Sequence, residues 1–200
     1  QGDLGGEWPS VSFRDLILQY GNIDINEYNT RETLLQKIYD EKIEIDCDTP
    51  LEDLGYGNLV DQLYKKVARP NVVNPIFLTE HPISLSPLAR ANDDNPEITD
   101  RFQLIINGAE IINAYSELVD PQEQERRLEE QAALKADGDE EAMPMDHEYI
   151  SAMEVGMPPI SGWGMGIDRV VQLLTNADNI KDVVMFPLMR PINTDTKDSE

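Results

Sequence analysis

The chain has 200 residues, of which 40% are hydrophobic and 28% are charged, a composition typical of a globular domain with a sizeable core. Its formal net charge of −23 argues against a broad nucleic-acid-binding surface, because such surfaces need clustered Lys and Arg. No apolar run approaches the roughly 18 residues of a membrane span, and a chain whose single cysteine is Cys47 can form no internal disulfide. We therefore predict no membrane association and a reducing, cytoplasmic location.

The first third of the chain is predicted to be helical. The stretch from Ser10 to Gly21 has a capping residue at its start and a glycine at its end, as a short helix does. Residues 30–42 and 57–69 carry apolar side chains at three- and four-residue intervals, which predicts two further helices. We assign residues 1–70 to a small helical insertion.

The pattern changes to strands after Pro70. Residues 74–80, 101–106 and 109–117 are rich in strand-forming residues, and Asn107-Gly108 lies between two of these runs. Asn-Gly is a strong signal for a tight β-hairpin turn, because both residues tolerate positive φ. We therefore predict that residues 101–117 form an antiparallel hairpin.

Helices and strands are predicted to alternate in the rest of the chain. Asp120, Pro121 and Glu123 provide an N-cap, a first-turn proline and a capping-box acid for a helix that ends near Gly138. A second helix is predicted at 147–155, and strands are predicted at 159–165 and 181–187. The resulting fold class is α+β, with an antiparallel sheet flanked by helices over residues 71–192 and a disordered tail at 193–200.

The stretch SGWGMGIDRV (161–170) combines glycines with an arginine at the start of a helix. Ile167, Val170 and Leu174 follow one helical face, and Arg169 lies roughly 160° from the centre of that face. A glycine-rich strand that leads into such an arginine suits a polyphosphate, since the guanidinium is a fixed, permanently charged fork. The alternative is an ordinary strand–helix turn with a surface arginine. The helix after Gly166 is predicted to pack on one face of the sheet.

The segment GWGMGIDR (162–169) resembles motif 3 of the class II aminoacyl-tRNA synthetases, whose arginine contacts the γ-phosphate of ATP. Further segments, in the same order as in that family, resemble the lysyl-tRNA synthetases in particular: HPISLSPLA (81–89), TDRF (99–102), NAYSEL (113–118), GDEEAM (138–143) and FPLMRP (186–191). The resemblance covers residues 70–191 and implies a partial class II catalytic domain.

The resemblance implies roles for individual residues. Asn113, Tyr115, Glu117 and Gly162 would line the lysine pocket, with the Glu117 carboxylate facing the ε-ammonium. Gly166 and Arg169 would bind ATP, and Arg169 would also act in catalysis. A half-buried strand edge with polar side chains in solvent is the alternative for residues 109–117.

Magnesium is the cofactor that the resemblance implies, bound together with ATP. Glu110 would be one of its ligands, and Gln103 would be a weakened second ligand, because the family usually has a glutamate at this position. A regular hairpin would place Glu110 and Asn113 on opposite faces. We therefore predict a β-bulge or a strong twist around residues 110–113.

The family's motifs 1 and 2 and its anticodon-binding barrel have no match in this sequence, which begins without a methionine. We expect a portion of a lysine–tRNA ligase whose parent uses ATP, lysine and tRNA(Lys) and forms a homodimer. The portion alone is expected to be inactive, because half of the phosphate clamp is missing. Two alternatives stay open: a truncated, non-catalytic binding or regulatory module, and an enzyme that attaches lysine to a translation factor.

Other candidate sites have little support in the sequence. His81 and His147 have no metal-ligand spacing with Cys47, so we expect surface or turn positions for both. Ser86 and Ser161 have no histidine at the spacing of a hydrolase motif.

Overall fold

The computed structural model describes residues 3–188, which contain one mixed sheet and a set of helices. The strands are β1 Ser10–Ser12, β2 Ile76–Thr79, β3 Arg101–Ile106, β4 Ala109–Ser116 and β5 Ser161–Met165. The α-helices are α1 Phe13–Gly21, α2 Arg31–Asp40, α3 Tyr56–Val67, α4 Pro121–Ala136, α5 His147–Glu154 and α6 Ile167–Thr175. In this part of the chain no helix has the length and apolar character needed to cross a membrane.

The strands pair in the order β1-β2-β3-β4-β5. The pairs β2–β3, β3–β4 and β4–β5 are antiparallel, whereas β1 runs parallel to β2. The predicted α+β class with an antiparallel sheet is therefore confirmed, with one parallel edge strand in addition.

That edge strand corrects the prediction of a helix from Ser10. Ser10, Val11 and Ser12 pair with residues 77–79 of β2, and the helix begins only at Phe13. The Ser12 side chain accepts a hydrogen bond from the Asp15 backbone N–H at 3.0 Å, so Ser12 is the N-cap. The helix thus begins later than the sequence predicts, because the pairing of residues 10–12 with a distant strand leaves no signal in this short stretch.

The β3–β4 hairpin turns at Asn107 and Gly108, as predicted. Both residues have positive φ (50° and 70°), as a type I′ turn requires. Leu104 lies opposite Ile112 while Ile105 lies opposite Glu110, so Ile111 is an extra residue in β4. The predicted bulge is thus confirmed.

Helices α1, α2 and α3 share one buried core with the sheet. The fully buried side chains of this core include Ile17, Leu34, Leu59, Leu63, Leu78 and Ile105. Each such side chain contributes about 1.5–3 kcal/mol on burial. At Gly57 of α3 a Cβ would lie 2.2 Å from the Ser84 carbonyl oxygen, so only glycine allows this approach of the helix to the loop after β2.

Helix α4 begins as predicted, with one difference. The Asp120 side chain accepts hydrogen bonds from the backbone N–H groups of Gln122 and Glu123, at 2.9 and 3.3 Å. The Glu123 carboxylate pairs with Arg126 and Arg127, so its side chain contacts the following turn of the helix. The hydrogen bond from Arg126 is the largest of the contacts that lower the pKa of Glu123 to about 2.

Contacts between Cα atoms divide the chain into one unit that ends at Met165 and a second that begins at Gly166. The second unit contains α6 and a 3-10 turn, Ile180–Asp182, and residues 181–187 form no strand, contrary to our prediction. The Asn179 side chain accepts from the Lys181 N–H at 2.9 Å, and this local cap favours a turn over an extended chain.

Several predictions stay predictions. They include the boundaries 1–70 and 71–192 and the packing of α6 on the sheet. The disordered tail at 193–200 and the end of the FPLMRP segment lie outside the described residues.

Candidate functional site

The bulge in β4 brings the predicted polar residues of the hairpin onto one face of the sheet. Gln103 lies opposite Asn113 across the β3–β4 pair, and Arg101 lies opposite Tyr115. The Gln103 side-chain nitrogen donates to Glu110 Oε2 at 2.7 Å, so Glu110 is on this face too. We call it the site face.

Arg101 also lies on the site face, although the sequence patterns predict no role for it. Its Nε donates to Asn113 Oδ1 at 3.0 Å, and its Nη1 donates to Ser86 Oγ at 2.9 Å and to the Leu85 carbonyl at 3.2 Å. Burial lowers the pKa of this guanidinium from its usual value. The arginine therefore fixes the orientation of the Asn113 amide by bonding its carbonyl oxygen. It also connects β3 to the loop after β2. Its place in the TDRF segment was the only signal.

Glu117 follows β4 and sits directly against Gly162 of β5. A Cβ on Gly162 would lie 2.7 Å from Glu117 Oε1, so the carboxylate occupies the space that a side chain would need. Burial raises the pKa of Glu117. The structure thus brings Glu117 together with Gly162 and with Tyr115, which lies opposite Gly162 in the β4–β5 pair.

Tyr149 of α5 is a neighbour of this carboxylate that the sequence patterns did not reveal. Burial first, and then the charges of Glu117 and Tyr115, raise the pKa of its hydroxyl. Burial, and next the charge of Glu117, likewise raise the pKa of the Tyr115 hydroxyl. An anionic carboxylate with two tyrosines around it favours a cationic ligand.

The backbone around Glu117 is held by the loop that follows β2. Ala89 forms an isolated bridge with Glu117, and the Ala89 carbonyl accepts from the buried Arg127 of α4 at 2.8 Å. Gln124 of α4 donates to the Pro87 carbonyl at 3.1 Å. The HPISLSPLA segment therefore connects α4 to the end of β4.

His81 was expected at a surface or turn position, and this is wrong. Its side chain is fully buried, 5.2 Å from the Phe13 ring between ring centres. Burial, and next the charge of Arg101, lower its pKa to about 3. A helix that is remote in sequence covers the histidine, so no local pattern could reveal its burial.

Residues of the site face fit magnesium only when ATP brings further ligands. Within residues 3–188 no cluster of three or more His, Cys, Asp or Glu side chains could hold a metal ion. Glu110 offers one carboxylate, and Gln103 presents its amide nitrogen to Glu110. Magnesium commonly takes one or two protein carboxylates together with substrate phosphates and water.

Gly166 and Arg169 belong to the unit that contains α6. Gly166 is the N-cap of α6, and a Cβ on it would lie 3.4 Å from Arg169 Cδ, so the arginine folds back toward the helix start. That Arg169 shares a cavity with Asn113 and Glu117 stays a prediction.

The opposite face of the sheet is different in character. A groove of about 480 Å³ is lined by apolar side chains of that face, which include Phe102, Ile112, Ala114 and Trp163, and also by Asp100, Tyr115 and Gly162. Asp100 is its charged lining residue and would repel a phosphate, so we place no nucleotide in this groove.

The sequence matches a family model for tRNA synthetases class II (D, K and N) over residues 4–190. It is 41% identical over 185 residues to Lysine--tRNA ligase of Helicobacter hepaticus, covering 92% of this chain and 35% of that protein. It is 44% identical to Lysine--tRNA ligases of Helicobacter pylori (strain Shi470) and Thermosipho africanus, covering 92% and 96% of this chain and 36% of each relative. The chain thus spans about a third of the length of these curated relatives.

Proposed function

Because the chain belongs to the class II tRNA synthetases (D, K and N), we propose that it is a portion of a lysine–tRNA ligase. In the proposed reaction a carboxylate oxygen of lysine attacks the α-phosphate of ATP, which forms lysyl-adenylate and releases pyrophosphate. The lysyl group then passes to tRNA(Lys), and AMP leaves. Protein groups act by positioning the substrates and by stabilising charge.

The lysine pocket is proposed to lie around Glu117. Its carboxylate, partly desolvated over Gly162, pairs with the ε-ammonium and disfavours neutral side chains, which would leave it unpaired. Tyr115 lies beside it, and the Asn113 amide, with its oxygen engaged by Arg101, has N–H groups suited to a carboxylate. The seating of Glu117 over Gly162 is the observation that carries the choice of lysine.

ATP is proposed to bind toward Glu110, Gly166 and Arg169. Magnesium, bound with ATP, would be held by Glu110 and would neutralise phosphate charge. Arg169 would pair with the γ-phosphate, for which a guanidinium is well suited. Dimerisation, tRNA binding and a cytoplasmic location belong to the same proposal. The chain alone is proposed to be inactive, since it contains no match to motifs 1 and 2.

The test is lysine-dependent ATP–pyrophosphate exchange by the natural polypeptide that carries this chain. Glu117→Gln should lower kcat/KM for lysine by about 30-fold or more, because the ammonium loses its charged, partly desolvated partner. Glu129→Gln, at an exposed position of α4, is the control and should match the wild type. A Glu117→Gln enzyme with unchanged kcat/KM would remove the lysine assignment.

A transfer assay separates the two enzymatic alternatives. We expect radiolabelled lysine to appear on tRNA. Lysine activation with label on a translation factor and none on tRNA would favour the protein-modifying enzyme. The absence of exchange with every natural polypeptide that carries this chain would favour the non-catalytic module.

A further inference from the structure

The position of the Glu117 carboxylate depends on segments on both sides of its backbone. The Glu117 N–H donates to the Ile160 carbonyl at 3.0 Å, just before β5. On the other side Ala89 lies opposite Glu117 in the isolated antiparallel bridge. Glu117 Oε1 lies 2.7 Å from the place that a Cβ on Gly162 would take, so a small shift of either segment changes how the carboxylate sits over the glycine.

The bridge between Ala89 and Glu117 is a non-hydrogen-bonded pair. Its two hydrogen bonds join the flanking residues, from the Arg90 N–H to the Ser116 carbonyl at 2.8 Å and from the Leu118 N–H to the Leu88 carbonyl at 3.0 Å. In such a pair the Cα atoms are only about 4.5 Å apart, and the paired residues direct their own N–H and C=O groups away from each other. The Ala89 carbonyl therefore points away from β4.

That carbonyl is held by Arg127 of α4. Arg127 Nη1 donates to it at 2.8 Å, and Arg127 Nε donates to Glu123 Oε1 at 2.8 Å. Only 6% of the Arg127 side chain is exposed. A neutral donor would satisfy one carbonyl without the cost of desolvating a charge. The guanidinium adds donors in fixed directions within one plane, which set the distance between α4 and Ala89.

A second contact attaches the same segment to α4 independently of Arg127. Gln124 is fully buried, and its Nε2 donates to the Pro87 carbonyl at 3.1 Å. Without the Arg127 guanidinium the segment should therefore stay attached at Pro87. Only its end beside Glu117 should loosen.

We propose that Arg127 is a positioning residue for lysine selectivity, which holds Ala89 in place and, through the Ala89–Glu117 pair, fixes the Glu117 carboxylate over Gly162. We call Glu123, Arg127 and Ala89 the α4 clamp. The proposal rests on the function proposed above, in which Glu117 pairs with the ε-ammonium. Arg127 acts on that pairing through the backbone.

The test is lysine-dependent ATP–pyrophosphate exchange by the natural polypeptide with Arg127→Met, which removes the donors and keeps an apolar stem. KM for lysine should rise about tenfold, less than the roughly 100-fold that a full 1 Å misplacement can cost. KM for ATP should not change. The ratio of kcat/KM for lysine to that for ornithine should fall, because ornithine is one methylene shorter and is rejected by the position of the carboxylate. A merely structural role would lower the amount of active enzyme, and hence kcat, and would leave KM and the ratio unchanged.

Arg126→Met is the matched control. Arg126 is also on α4 and pairs with the same Glu123 carboxylate, at 2.7 Å, but it is 53% exposed and its second partner is Glu130 of the same helix. Its KM for lysine and its ratio should equal those of the wild type. An unchanged KM and ratio in folded Arg127→Met, or equal changes in Arg126→Met, would overturn the proposal.

Arg127→Lys decides the question if Arg127→Met yields no folded protein. It keeps the buried charge, but one ammonium cannot reproduce the two fixed bonds of the guanidinium. KM for lysine should then rise about threefold, a smaller misplacement than in Arg127→Met. A wild-type KM in Arg127→Lys would overturn the proposal in that case.

The α4 clamp is also tested without activity, by hydrogen–deuterium exchange of the natural polypeptide followed by mass spectrometry. Peptides that contain the Arg90 and Leu118 N–H groups should exchange on the order of tenfold faster in Arg127→Met, because local opening of the bridge becomes easier. Arg126→Met should exchange as the wild type does, and wild-type exchange in Arg127→Met would refute the clamp. A wild type without ATP–pyrophosphate exchange, combined with faster deuterium exchange in Arg127→Met, would refute the proposed function and leave the clamp standing.

Discussion

The buried carboxylate of Asp139 is predicted to be a major source of stability. It is 0% exposed, and it lies in the GDEEAM segment between α4 and α5. Its oxygens accept from the Gly55 N–H at 2.7 Å, from the Asn58 amide at 2.8 and 3.0 Å, and from the Glu141 N–H at 3.0 Å. Gly55 is the N-cap of α3 and provides no side-chain cap, and Asp139, 84 positions away, accepts from the Gly55 N–H as the acid of a capping box does.

The expected loss of stability follows from the groups that Asp139→Ala would leave without an acceptor. Three donor groups would lose a charged acceptor, and the start of α3 would lose a negative charge near its N-terminus. Hydrogen bonds to charged groups are worth about 1.5–3 kcal/mol each, but they do not add fully within one network. We expect the free energy of unfolding to fall by about 3–5 kcal/mol, as it does when a buried pair is broken.

The assay is urea denaturation followed by circular dichroism, with the slope of the transition compared between variants. Asp139→Asn should be destabilised as well. Both carboxylate oxygens accept hydrogen bonds, and in the variant an amide nitrogen would replace one of them and face N–H donors. Asp137→Ala, an exposed aspartate at the end of α4, is the control and should change stability by less than about 0.5 kcal/mol. A loss below about 1 kcal/mol for Asp139→Ala, or equal stability of Asp139→Asn and the wild type, would refute the reasoning.

Three further predictions concern single residues. Gly162→Ala should raise KM for lysine by about tenfold, because the new Cβ displaces the Glu117 carboxylate. Gly164→Ala is the control and should bind lysine normally, because a Cβ there meets nothing within 4 Å. Equal KM values for the two variants in exchange assays would contradict this prediction. Gln103→Glu should lower the half-saturating magnesium concentration in the same assay, since a second carboxylate strengthens the site; an unchanged value would show that one carboxylate suffices. Glu123 has a folded pKa of about 2 against an ordinary 4.5, so its contribution to stability is present above pH 4.5 and is lost as the pH falls toward 2. Glu123→Gln should therefore flatten the acid limb of a stability–pH curve, and a curve that keeps the wild-type slope would argue against the pairing.

Features that depend on neighbouring residues in the chain were predictable. Asn107-Gly108 formed the expected turn, because both residues accept positive φ wherever they occur. Asp120 capped α4 for a similarly local reason. The family resemblance added the bulge near Glu110, which no local pattern would have predicted.

Features that depend on distant partners were decided by the tertiary structure. Ser10 entered a strand because residues 77–79 offer an edge to pair with, and Asp139 capped α3 across 84 positions of sequence. His81 is buried because Phe13, from the first helix, packs on it. Propensity and capping act over about one turn of chain, whereas burial and strand pairing depend on which remote surfaces meet, and only the folded chain determines that.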